Sequence, residues 1–172
     1  MSRAFVKEDD SGEPPIIPPR AALPPGTPNY VTPQGLQMLR AEVGQLEMER
    51  TAIEANRQDE PERRRQLLII NGRLSALTER LASARLVEPL SESADQVRFG
   101  VTVTLRTKSG GKPGTIRQFT IVGVDEASVP DGRISFVSPL ARSIMGATLG
   151  QNIALRMGPV TETVEIADIC YS

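Results

Sequence analysis

The sequence predicts an α+β protein: an N-terminal antiparallel coiled-coil helical hairpin followed by an antiparallel β-sheet domain with one short helix. Two runs of apolar residues at alternating steps of three and four, around Leu39 and Leu74, predict the hairpin. Stretches beyond residue 97 that alternate apolar and polar residues between Gly- and Pro-containing turns predict the sheet. A proline-rich leading segment precedes both: half of the fourteen prolines lie between Pro14 and Pro28.

That segment, residues 1–30, reads as an extended, polyproline-like and partly disordered arm with no helix or regular sheet ladder. Its first dozen residues read as a dispensable leader; the alternative is a strip laid over a domain surface. The hairpin occupies residues 31–88. Thr32 is a good N-cap and Pro33 suits the first helical position. Leu36, Leu39, Val43, Leu46 and Ile53 form one seam, with Arg50 at the missing step; Leu67, Ile70, Leu74, Leu77, Leu81 and Ala84 form the other. Neither helix can bury its stripe alone, so the two pair, with a charged tip near residues 54–66. A boundary at 87–96 leads into the second domain, residues 97–172. Strands are expected in VRFGVTVTLRT, TIRQFTIVGV, RISFV, QNIALRM and VTETVEIADICY. SPLARSIMG reads as a brief helix with Ser138 as N-cap and Pro139 first, and Leu140, Ile144 and Met145 as core.

Composition closes several routes. Twenty basic against twenty-one acidic residues give a net charge of −1, which argues against a free-standing nucleic-acid binder. The chain has no His, so His-based catalysis and His-dependent metal sites are excluded. The single Cys170 cannot form an intramolecular disulfide and is expected buried and inert in the closing strand. SGGKPG lacks the P-loop spacing and lies between strands. No apolar run has signal-peptide or transmembrane length, and a cytoplasmic protein is expected, with no membrane partner.

The tip ANRQDEPERRRQ is the densest cluster of charge. Asp59 at the N-cap with Glu62 at N3 makes a capping-box-like opening to the second helix. Asp59–Arg63 and Glu60–Arg64 are i,i+4 pairs. Arg63, Arg64 and Arg65 either line a solvated helix face or meet a phosphate or carboxylate of a partner.

The chain resembles the Gre-type bacterial transcript cleavage factors. VRFGVTVTL, FTIVGVDEA, ISFVSPLARSIMGATLGQ and IADICY follow the order of that family, as do TPQGLQMLRAEVGQLE and GRLSALTERLASA in its hairpin, leaving only the arm outside. The resemblance implies an FKBP-like fold for the second domain and RNA polymerase as partner. In the family this domain docks at the rim of the secondary channel, and the hairpin reaches towards the catalytic centre and, indirectly, the nascent RNA. Carried over, the docking residues are Val137, Ser138 and Pro139, with Val137 where the family often has Asn or Asp. The family's tip pairs an Asp and a Glu three residues apart, held to assist a second magnesium ion in hydrolysing backtracked RNA. Asp59 and Glu62 match, with Glu60 as a weaker candidate. The protein then has no cofactor of its own and no enzymatic activity by itself; Mg2+ is shared with the polymerase site, and a monomer is expected.

Two departures keep a second reading open. Arginines follow Glu62 where the family has Asn, an acid and an aromatic. Each arm also lacks about one heptad, roughly 10 Å of reach at about 1.5 Å per residue. A non-cleaving regulator that competes for the channel, like the short-hairpin relatives linked to nucleoside diphosphate kinase regulation, is the alternative. A peptidyl-prolyl isomerase rests on fold analogy alone. Such enzymes use an aromatic-lined pocket, and this domain offers Phe99, Phe119, Phe136 and Tyr171.

Overall fold

The computed structural model describes residues 13–57, 59–89 and 94–171. The first dozen residues, read above as a leader, and part of the 87–96 boundary lie outside them. The elements are β1 (Asn29–Val31), α1 (Pro33–Ala55), α2 (Glu60–Ser83), β2 (Ala84–Leu86), β3 (Val101–Ser109), β4 (Ile116–Val122), β5 (Arg133–Ser135), α3 (Pro139–Ile144), β6 (Asn152–Met157) and β7 (Val160–Tyr171).

The helices pair as the seam requires. Leu39, Leu46, Ile70 and Leu77 are buried together with Val31, and Leu36, Val43, Ile53, Leu67, Leu74 and Leu81 pack around them. Helix α2 stops at Ser83, so Ala84 enters the seam from a strand. Leu77 is fully buried, and Leu77→Ala should cost about 2–5 kcal/mol of stability through lost transfer energy and the cavity left behind. Urea denaturation followed by circular dichroism measures it.

The arm does contain a ladder, contrary to the sequence reading. Asn29–Val31 pairs in parallel with Ala84–Leu86. Asn29 is buried, and its side-chain amide donates to the Arg80 carbonyl at 2.8 Å and to Ser83 Oγ at 3.1 Å. These bonds fasten the chain entering α1 to the end of α2, where last-turn carbonyls need donors.

The second domain is a five-stranded sheet in the order β5-β4-β3-β7-β6. It is mixed rather than wholly antiparallel, because β5 joins β4 in parallel. A 3-10 turn at Val129–Asp131, closed by Gly132 at φ 68°, swings the chain back so that β5 enters the sheet in the same direction as β4. Strand β3 starts only at Val101. Gly100, at φ 86°, breaks the predicted run, and Val97 instead bonds with Gly146 and Ala147 beyond α3. Helix α3 closes one face, burying Ala141 and Ile144 against Val103, Leu105, Leu155, Val164 and Ile166. Leu140 packs at the margin, whereas Met145 is 39% exposed at the C-cap and outside the core.

Cys170 is exposed, not buried. Between Thr104 and Leu105 the β3–β7 register slips, so their partners are Asp168 and Ile166 and Ala167 is left over. That bulge changes which alternate residues of β7 face inward: Val164 and Ile166 before it, Ile169 after it. Cys170 consequently points outward.

Candidate functional site

At the hairpin tip, Asp59 has extended backbone and its Oδ1 accepts from the Glu62 N–H at 3.2 Å, which makes it the N-cap of α2. Glu60 pairs with Arg64 one turn on. Glu62 accepts a 2.9 Å bond from Gln66. Arg63 turns away from Asp59 and donates to the carbonyl of Asn56 at 3.2 Å, tying α2 back to the end of α1. Arg64 and Arg65 are exposed, and Arg65 lines a shallow cavity with Glu13, Pro14, Pro15, Ile16 and Ile69. The structure therefore gathers Asp59, Glu60 and Glu62 in one exposed helical turn and sends the three arginines in different directions.

Magnesium prefers carboxylate and water oxygens in octahedral geometry. Asp59 and Glu62 are exposed hard donors of that type, so the tip fits a shared site in donor chemistry. Two side chains cannot fill an octahedron, and the remaining ligands must come from elsewhere. No grouping of three metal-binding side chains occurs among the described residues.

The second sequence-derived site lies on the β domain. Ser138 Oγ accepts from the Ala141 N–H at 3.2 Å and Pro139 begins α3, as the sequence predicts. The Ser138 N–H donates to the Ser135 carbonyl at 2.9 Å and the Val137 N–H to Ser135 Oγ at 3.3 Å. These bonds fix the loop as a tight projection with Pro139 exposed and Val137 half-buried.

Sequence reasoning missed the junction between these two sites. Glu126, on the loop after β4, is only 4% exposed. Its carboxylate accepts from the backbone N–H of Thr32 and of Gly123, both at 3.1 Å, and from the Thr32 hydroxyl. Thr32 in turn caps α1 by accepting from Gly35 at 3.0 Å. In a capping box the N3 side chain would supply that acid, but N3 here is Gly35 and the first turn of α1 has no acidic residue. Glu126 does the task from the β domain and also faces the positive end of the helix dipole. A Cβ on Gly35 would lie 2.0 Å from Glu126 Cδ, so the glycine makes the room.

Asp125 beside it is a second connector. Its Oδ1 meets Arg20 Nη2 at 2.9 Å and its Oδ2 meets Arg80 Nη1 at 3.0 Å. Tyr30, from β1, packs against Phe99 and Phe136 with ring centroids 5.7 and 5.6 Å away. The signals were a glycine at a capping acid's position and Arg20 inside the apolar stretch PPIIPPRAALPP, neither of which names its partner.

The domain just described matches a family model, "Transcription elongation factor, GreA/GreB, C-term", over residues 92–171. The chain is similar to the transcription elongation factor GreB of Neisseria meningitidis serogroup A, at 36% identity over 159 residues, covering 84% of this chain and 95% of that protein. It is also similar to the transcription elongation factor GreA of Acidiphilium cryptum, at 35% identity over 139 residues, covering 73% and 86%. A solved GreA/GreB factor from Nitrosomonas europaea superposes at a TM-score of 0.40 with 19% identity, covering 83% and 98%, too loosely to add to the assignment. With a helical hairpin ahead of the matched domain and relatives aligned across both, the chain belongs to the GreA/GreB family of transcription elongation factors.

Proposed function

We propose that this elongation factor acts from the secondary channel of RNA polymerase in the cytoplasm, docking by the Val137–Pro139 loop and directing its hairpin inward. The observation that carries this reading is the placement of exposed carboxylates, Asp59 and Glu62, on the far turn of a hairpin whose base is bolted to a GreA/GreB domain. At the end of such a hairpin they would present oxygen ligands to a magnesium ion shared with the polymerase. A second metal of this kind activates water and stabilises in-line attack on a phosphodiester. This chain's own contribution is to carry the two carboxylates on a capped, rigid helix start. The decisive experiment compares RNA cleavage in stalled, backtracked elongation complexes with and without the protein.

A non-cleaving competitor is the second reading, and the tip gives it a specific observation. Asp59 is committed to its cap, Glu60 to Arg64 and Glu62 to Gln66, on arms short by about one heptad. Under that reading no cleavage is stimulated, yet the protein displaces an active Gre factor from the polymerase. Isomerase activity is not favoured. Phe99 and Phe136 meet edge to face at 5.5 Å and pack against Tyr30, and the cleft of about 600 Å³ beside them has Phe99 as its one aromatic wall among the described residues.

Docking through the loop predicts that Ser138→Arg with Pro139→Ala weakens a polymerase pull-down about tenfold or more, as loss of a central contact does. Ser138→Asp keeps the cap of α3 and separates a misfolded loop from a lost contact. Binding unchanged in the double variant would place the interface elsewhere.

A further inference from the structure

The arm is more than a leader over its described length. Ile17 sits at Gly72 of α2, its Cδ1 2.2 Å from where a Cβ would stand. Further on, the Ala21 carbonyl accepts a 2.6 Å bond from Arg80 Nη2. The segment from Ile17 to Ala21 rises about 12 Å at about 3.1 Å per residue in polyproline conformation. The helix from Gly72 to Arg80 rises about the same 12 Å at about 1.5 Å per residue. Arm and helix thus run side by side in step, and the arm then turns at Pro24–Thr27, with Gly26 at φ 75°, into β1.

Midway along it, Arg20 forms a fork between the two halves of the molecule. Nη1 and Nη2 donate to both oxygens of Glu42 on α1, at 2.8 and 3.0 Å. Nε and Nη2 donate to Asp125 of the β domain, at 3.2 and 2.9 Å. The Arg20 side chain is 19% exposed and that of Asp125 is 7% exposed. The Glu42 hydrogen bond, above all, raises the guanidinium's pKa further, outweighing its burial. Planar, partly buried and bidentate pairs of this kind specify an angle as well as a contact.

We propose that residues 13–28 are an intramolecular strap that sets the direction of the hairpin relative to the β domain, with Arg20 as its positioning residue. Through Arg20 the strap ties Asp125 of the domain loop to Glu42 of α1, next to the bonds from Glu126 to the start of that helix, while Tyr30 adds a further contact with Phe99 and Phe136. With arm, helix start and β1 all tied to the β domain, the hairpin is restrained from swinging about its base. The consequence for polymerase, that the strap aims the tip, rests on the channel reading; the strap itself does not.

The test uses the full chain in a Cys170→Ser background, with spin labels on Arg57→Cys at the tip and Lys112→Cys on the β domain, both exposed. Double electron–electron resonance should give one narrow distance distribution for the otherwise native chain. Arg20→Ala should raise the population outside that peak about tenfold, the effect of losing charge-assisted bonds that are partly shielded from water. Arg20→Lys, which keeps the charge but not the fork, should fall between. Gly72→Leu offers an independent check. It fills the Ile17 seat while improving helix propensity, so it should broaden the distribution without lowering helix content. Distributions for Arg20→Ala and Gly72→Leu that superimpose on the starting protein, or a starting distribution that is already broad, would overturn the strap. Polymerase takes no part in these measurements, so they stand or fall apart from the channel reading.

Discussion

Cleavage of backtracked RNA, where the factor stimulates it, should be abolished by Asp59→Asn, with helix content and polymerase binding nearly unchanged. The geometry makes this substitution clean. Asp59 Oδ1 caps α2 through the Glu62 N–H, and an Asn oxygen accepts the same bond, so only the charge is lost. Asp59→Ala removes the cap as well and costs about 1 kcal/mol, which mixes the two roles. Should the short arms keep the tip from the catalytic metal, the native protein stimulates no cleavage but still competes with an active Gre factor. One heptad inserted in each arm, in register with Leu46–Ile53 and Leu67–Leu74, then extends the hairpin by roughly 10 Å without breaking the seam. Cleavage gained by the insertion and lost again with Asp59→Asn identifies length as the limit. Native cleavage that survives Asp59→Asn removes the metal role from Asp59.

The elements legible in the sequence are those whose signal is local and repeated. The α1–α2 seam shows because every third or fourth residue must be apolar, and the caps at Thr32, Asp59 and Ser138 show because each has a Pro within the next two residues. What stayed hidden depends on distant partners. β1 and β2 have three residues each and exist only because they meet each other. The parallel entry of β5 follows from a left-handed Gly132 after a 3-10 turn, which hydrophobic alternation does not encode. Cys170 was misplaced because a bulge at Ala167 changes the parity of β7, and counting by twos from either end misses it. At the tip the residue types and spacing were legible, but the pairing was not. Arg63 donates to the Asn56 carbonyl across the turn, while Asp59 Oδ1 accepts from the Glu62 N–H. Glu126 and Arg20 were illegible for the same reason as the short strands: their partners lie 94 and 105 residues away.

Glu126→Ala should be among the most damaging single changes in the molecule, costing about 3 kcal/mol or more. Truncation strands the backbone N–H groups of Thr32 and Gly123 and removes the anion at the start of α1. Two donors left without their charged acceptor account for most of that figure, since hydrogen bonds to charged groups contribute about 1.5–3 kcal/mol each. Glu126→Gln can keep both backbone bonds on its one oxygen, since the Thr32 and Gly123 N–H groups meet the same Oε2. Its amide nitrogen then faces the Thr32 hydroxyl, which can accept; with only the charge lost it should lose roughly half as much. Gly35→Ala attacks the same contact from the helix side. Its Cβ would stand 2.0 Å from Cδ and 2.3 Å from Oε2 of Glu126, forcing the carboxylate out, although alanine is the better helix former by about 1 kcal/mol. A net destabilisation of about 1–3 kcal/mol is therefore expected, against the sign that helix propensity gives. Urea unfolding of the three variants, with spin-labelled tip and β domain as the second readout, separates the possibilities. If Glu126 is the bolt, Gly35→Ala and Glu126→Ala both loosen the hairpin direction, and the double variant costs little more than the worse single one. Additive losses would mean that Gly35 and Glu126 act separately, and a stabilised Gly35→Ala would mean that α1 needs no acid from the β domain.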